Sequence, residues 1–153
     1  MKRTLLAISI GLGFGLIGGS TSLGSPELTN PGPIRLTTRG LTQQFVDRGP
    51  PGRGAGDLLV IRELLYNKGI TRKAIGHAEL VCTYTGRFSR QCNGTFALPK
   101  GKIVVAGTLV YRQFYVLAVV GGTGYYDNAR GTLTVTLLKR KPHRDFVYFR
   151  LLT

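Results

Sequence analysis

Thr132, Thr134 and Thr136 alternate with Leu133, Val135 and Leu137, and this two-residue period, recurring in short stretches along the chain, constrains the fold more than any other feature. An extended strand is the element that sends successive side chains to opposite faces. Eight such stretches lie between Gly, Pro and Lys turns, at 34–47, 57–66, 76–85, 91–98, 103–111, 114–120, 131–138 and 146–152. None carries a sustained 3.6-residue apolar period with helix caps. The chain is therefore all-β, and its 22 glycines and 7 prolines suit many short strands joined by tight turns. Sequential strands with hairpin-length connections leave two architectures, a closed up-and-down barrel or a two-sheet sandwich. An eight-stranded barrel has an interior just wide enough for one small ligand. Region 103–120 is apolar on both faces, so its outer face needs cover from a neighbouring segment or another subunit, and an oligomer is expected.

The 153 residues carry a formal charge of +14, yet 42% are hydrophobic and only 18% charged, which excludes a disordered polyelectrolyte. At the amino terminus Lys2 and Arg3 precede an apolar run at 5–17 and then Gly18, Gly19, Ser20, Thr21 and Ser22. Charged, apolar, small is the order of a secretory signal peptide, so residues 1–24 read as an export signal and the protein as secreted. Residues 25–33 read as a Pro-rich linker, with the folded domain at 34–153. Losing Lys2 and Arg3 leaves 19 basic against 7 acidic residues, a mature charge of +12.

The two cysteines, Cys82 and Cys92, flank a segment with Gly86 at its centre that reads as a hairpin tip. In an exported protein this predicts a disulfide across the hairpin, with two unpaired buried thiols as the alternative. His77 and His143 are isolated in sequence and show no ligand spacing, so no metal site is expected. The dense basic segment Lys139-Arg140-Lys141-Pro142-His143-Arg144 has no interleaved aromatics and no nucleic-acid motif. It reads as a solvated loop, with an anionic envelope polymer as a possible partner and no specific nucleic acid.

Gly56-Asp57-Leu58-Leu59-Val60, Leu65-Tyr66, Gly76 with Cys82 six positions on, Ala118-Val119-Val120-Gly121-Gly122-Thr123-Gly124 and Ala129-Arg130-Gly131 resemble the ordered landmarks of the allene oxide cyclase and dirigent superfamily. The resemblance runs from about residue 34 to the end, and its most specific part is 119–131. It implies the eight-stranded antiparallel barrel over the sandwich, a homo-trimer, a central apolar pocket and no cofactor. Gly121, Gly122 and Gly124 permit positive φ, so the loop is expected to end its strand sharply and fold over the barrel mouth. A dinucleotide fingerprint is excluded because Asp127 stands at the third glycine position and no helix pattern follows.

The resemblance also implies site residues. The cyclases use a first-strand glutamate; matching Asp47-Arg48 to the acidic–Arg pair at that strand's end puts Gln44 in its place, and an amide has neither the charge nor the proton affinity. A true allene oxide cyclase is therefore the least favoured reading, and Gln44 is kept as a ligand contact. Pocket-facing positions of the second strand correspond to Leu59, Ile61 and Glu63, which makes Glu63 an inward acid; a surface Glu paired with Arg62 is the alternative. Cys82 matches an inward cysteine, alternation adds Leu80 and Tyr84, and hairpin pairing adds Phe96, all of which also suit plain core packing. Dirigent proteins place acidic, tyrosine and arginine side chains about a phenolic ligand, and the corresponding positions are Tyr111, Tyr115, Asp127 and Arg130. Asp127 and Arg130 equally suit a local turn-stabilising pair. The expected function is a secreted barrel that holds a small apolar or phenolic compound and biases its coupling or cyclisation, acting as a cofactor-independent isomerase or stereo-guiding protein. The rival is a non-catalytic extracellular module for a hydrophobic ligand or envelope polymer, whose lumen would be filled by large side chains.

Overall fold

The structure is a computed structural model that describes residues 32–67, 73–110 and 114–152. The export signal, most of the linker and Tyr111 lie outside the described residues. Eight strands follow one another: β1 (Ile34–Val46), β2 (Leu58–Asn67), β3 (Gly76–Tyr84), β4 (Ser89–Leu98), β5 (Gly101–Val110), β6 (Phe114–Gly124), β7 (Arg130–Lys139) and β8 (Arg144–Leu152). Each pairs antiparallel with the next, and β1 pairs with β8, so the sheet closes into the up-and-down barrel rather than a sandwich. No helix occurs among the described residues.

Alternation decides what fills the tube. Leu65 on β2, Phe96 on β4, Ile103 on β5, Leu117 on β6, Leu133 on β7 and Phe149 on β8 all point inward and are fully buried. Each contributes about 1.5–3 kcal/mol by leaving water. Phe96 and Phe149 meet edge to face, 5.1 Å between centroids at 85°, and block the lumen at that level. The hairpin of β3 and β4 sets Cys82 directly opposite Cys92, and the two form a disulfide inside the barrel.

The β1–β2, β3–β4, β5–β6 and β7–β8 connections gather at one end, here the mouth, and the other three at the opposite end. The glycine-rich segment sits at that opposite end, not over the mouth. It also does not end its strand at Val120: Gly121, Gly122, Thr123 and Gly124 continue β6 and pair with Val104, Ile103, Lys102 and Gly101. Of the three glycines singled out, Gly124 alone has a positive φ, at 63°. Gly122 is needed for a different reason, because a Cβ there would lie 2.1 Å from the Tyr126 carbonyl oxygen and 2.8 Å from that of Lys102. This closeness lets the β6–β7 turn fold back and bury Tyr126 against the core.

The first strand carries a bulge between Gly40 and Thr42. Before it, Thr38 and Gly40 face Leu65 and Glu63; after it, Gln43 and Phe45 face Ile61 and Leu59. One extra residue thus exchanges the two faces of the strand.

Gly122→Ala is expected to lower stability by about 3 kcal/mol or more, since both opposing atoms are backbone and cannot rotate away. Its neighbour Gly121→Ala, whose Cβ would meet nothing nearer than an Arg130 side-chain nitrogen at 4.0 Å, should stay within about 1 kcal/mol of the parent. Paired thermal or urea unfolding curves check the difference.

Candidate functional site

Below the mouth the lumen is open. A cavity of about 320 Å³ lies between Ile61, Leu80, Leu109, Val110 and Leu137 on its apolar walls. Its polar groups include Gln43, Glu63, Arg90, Tyr115, His143 and Asp145. Glu63 and Asp145 are buried, each with a side chain only 8% exposed, whereas the His143 ring stands half in solvent at the rim.

The site forms where β1 and β8 separate. Their ladder runs from Ile34 opposite Phe149 to Thr37 opposite Phe146 and then stops. Beyond it two single hydrogen bonds hold the seam: the Asp145 N–H donates to the Thr38 hydroxyl at 3.2 Å, and the Gly40 N–H to the His143 carbonyl at 3.1 Å. Gly40 leaves room for the ring, because a Cβ there would come within 3.3 Å of the His143 Cβ. His143 Nε2 consequently lies 3.0 Å from Asp145 Oδ2 and 3.9 Å from Glu63 Oε1. The Thr38 hydroxyl donates in turn to the Glu63 carboxyl.

Two carboxyl groups under one imidazole cannot both hold a charge at little cost. Burial, reinforced by the nearby Asp145 charge, pushes the Glu63 carboxyl from 4.5 up to about 7, against the opposing pull of His143 and Thr38. Burial also raises Asp145, with His143 again opposing through its charge and its hydrogen bond. Burial first, then Glu63 and Asp145, keep the Tyr115 phenol protonated well beyond its ordinary range, with Arg90 pulling the other way. Glu63 is thus a proton donor and acceptor poised near neutrality, beside a neutral hydroxyl and under a half-exposed imidazole. The ligand atoms of Glu63, His143 and Asp145 also lie within 4.8 Å of one another, close enough to converge on a divalent cation. The hydrogen bond between His143 and Asp145 and the Thr38 contacts already give these groups partners without one.

Of the residues expected from the sequence, Glu63, Ile61, Leu80 and Tyr115 line the cavity. Glu63 is not the surface partner of Arg62, which instead pairs with Glu79 at 3.1 Å. Gln44 is exposed and paired with Val60 on the outer face, because the bulge reverses the strand; Gln43 takes the inward place. Leu59, Tyr84 and Phe96 are buried in the packed core rather than in the cavity wall. Tyr84 meets Phe45 edge to face at 5.9 Å and receives a 3.4 Å hydrogen bond from Arg90 Nη1. Asp127 in the β6–β7 connection and Arg130 at the start of β7 lie at the far end and cannot reach this cavity; Asp127 accepts from Asn128, and Arg130 donates to the Ala129 carbonyl.

Sequence reasoning passed over His143, Asp145, Arg90, Gln43 and Thr38. For Asp145 a signal was present: it shares the two-residue period of Val147, Phe149 and Leu151, which marks an inward carboxyl in an apolar row. The same period offers Arg90, in step with Cys92, Gly94 and Phe96, and Thr38, in step with Leu36, whereas Gln43 depends on the bulge and His143 on how the β7–β8 connection folds back.

No family model matches the chain, and no curated protein is similar to it in sequence. Solved structures are similar in fold. A pyocyanin demethylase superposes with a TM-score of 0.68 at 23% identity, covering 78% of this chain and 99% of that one. A pterocarpan synthase dirigent protein gives 0.60 at 16% identity, over 76% of this chain and 83% of the other. A Diels–Alderase from Streptomyces koyangensis gives 0.61 at 16%, over 78% and 64%. The chain thus has the eight-stranded barrel fold found in dirigent proteins and in cyclase barrels.

Proposed function

We propose that the barrel binds a small apolar or phenolic compound in its lumen and guides that compound's coupling or cyclisation by acid–base catalysis. The observation that carries this reading is a buried carboxyl, Glu63, poised near pH 7 on the wall of an open apolar cavity. Glu63 gives or takes the proton at the ligand, while Tyr115 donates a hydrogen bond to a ligand oxygen. His143 and Asp145 set the charge around Glu63, and the half-exposed His143 ring stands between the site and water. Ile61, Leu80, Leu109 and Leu137 fix the ligand's plane and exclude water, which supplies rate through orientation. The fold shared with a dirigent protein and a Diels–Alderase supports a stereo-guiding role. A non-catalytic module is the weaker reading, because the lumen is blocked in its lower half and open where the acid groups converge.

The same reading makes the protein exported and trimeric. A buried disulfide suits an oxidising compartment. Phe114, Val116 and Val120 on the outer face of β6, 56, 47 and 44% exposed, form the apolar stripe that a neighbouring subunit would cover.

Three outcomes are expected. 5-Nitrobenzisoxazole, a small apolar probe that loses its C3 proton to a base as its N–O bond breaks to give a cyanophenolate, should react faster with the protein than in buffer. The rate should rise with pH as Glu63 ionises around 7 and fall about a hundredfold in Glu63→Gln. A flat profile with full activity in that variant would remove Glu63 from the mechanism.

Stability gives a second check. Because the folded value for Glu63 lies above its unfolded 4.5, its favourable contribution is complete below about pH 4.5 and is lost as pH rises through about 7. Asp145 acts in the same direction, with His143, Thr38, Tyr115 and Arg90 facing the pair. Glu63→Gln should therefore gain on the parent above pH 7, by up to about 3 kcal/mol, in urea unfolding at paired pH values. Finally, sedimentation should show three chains per particle, and Val116→Glu should sediment as one chain with its near-ultraviolet dichroism intact.

A further inference from the structure

Two features of the mouth are not used by the proton chemistry. The first is Arg90 at the start of β4, which lines the cavity between Tyr84 and Leu109. Its Nε is buried with no hydrogen-bond partner, and among the described residues the guanidinium otherwise meets Tyr84, through a long 3.4 Å bond from Nη1 to the hydroxyl and a 5.9 Å approach to the ring. No carboxylate pairs with it among the described residues. Burying a guanidinium N–H unpaired is costly, so the position is ready for an acceptor that the described residues do not supply.

The second is the rim. Arg48 and Arg53 in the β1–β2 connection, Arg87 in the β3–β4 turn, and Lys139, Arg140 and Lys141 at the β7–β8 connection are all exposed around the same opening. None is ion-paired among the described residues. Two acids stand nearby, held by backbone N–H groups rather than by these cations: Asp57 accepts from Arg48 and Gly54, and Asp47 from Gly49 and Gly52, which leaves the positive charges in excess. A surplus of one sign around a low-dielectric cleft focuses the field and draws in ligands of the opposite sign.

Resting on the lumen-binding reading above, we propose that the ligand is a small organic anion, with an apolar body between Ile61, Leu80 and Leu109 and its anionic oxygens on the Arg90 guanidinium. The planar fork of an arginine suits a carboxylate or sulfonate bidentately. The rim acts earlier, on the rate of encounter.

Two fluorescent probes that differ by one sulfonate test this: 1-anilinonaphthalene-8-sulfonate, the anion, and N-phenyl-1-naphthylamine, its neutral counterpart. The parent protein should bind the anion about tenfold more tightly than the neutral probe, and the advantage should shrink as salt rises from about 20 to about 500 mM. Arg90→Gln should abolish the preference and leave the neutral probe's affinity unchanged. The double variant Arg140→Glu, Lys141→Glu should slow association of the anion and not of the neutral probe. Equal affinities in the parent, or an Arg90→Gln variant that weakens both probes alike, would overturn the proposal. Ile61→Trp, which fills the cavity, separates this failure from failure of the lumen reading. If it releases both probes while the parent shows no anion preference, only the anion proposal falls. If both probes still bind to it, the lumen is not the binding place.

Discussion

Closure of β1 onto β8 is the interaction on which the rest depends. Seven of the eight strand pairings join neighbours in sequence; the eighth joins the two ends of the domain. It is also short, stopping at Thr37 and Phe146. The chain gains two things from that brevity. The paired part shuts the tube. The unpaired part lets β1 and β8 separate just enough for His143 and Asp145 to turn inward beside Glu63, tied by single bonds to Thr38 and Gly40. A full ladder along this seam would fill the place where the acid groups meet.

The interior divides accordingly. At the level of Phe96 and Phe149 the barrel is a packed core that supplies stability; at the level of Glu63 it is a cavity that lowers it. Raising a carboxyl to about 7 destabilises the folded state at neutral and higher pH, and the lower half, together with the Cys82–Cys92 disulfide, offsets that loss. Acid groups of this kind are tolerated because Thr38 and His143 give both carboxyls hydrogen-bonding partners.

The strands were legible because alternation is a local property: each of the eight expected stretches overlaps a strand, and the largest error in strand length came at β6, which the glycines extend rather than end. Glu63 was placed inward through the resemblance, with Gly56-Asp57 as the anchor on β2, and it lines the cavity. Gln44 failed because a bulge has no residue signature on this strand; nothing in Gly40-Leu41-Thr42 announces that parity will change. Asp127 and Arg130 failed for a topological reason. Odd and even connections of an up-and-down barrel lie at opposite ends, so the β6–β7 connection cannot share a mouth with the β7–β8 connection. His143 was set aside because metal or catalytic partners were sought near it in sequence. Its partner Asp145 is two residues away, but the significance of the pair appears only when Glu63, eighty positions earlier, faces them across the seam.

The basic rim and the acidic interior belong to one electrostatic arrangement rather than two. Placed beside Glu63, an anionic ligand adds negative charge and so favours the protonated carboxyl further, in the same direction as burial and Asp145. Arg90 limits the effect by sharing the ligand's charge. On the proposed reading, the ligand that the rim selects would also keep Glu63 loaded with a proton, and recognition and acid catalysis would reinforce each other. A neutral ligand of the same shape would meet Glu63 with less proton affinity and an unpaired guanidinium at its other end. Selectivity between the two would therefore appear in the chemical step as well as in binding, because the same missing charge weakens both.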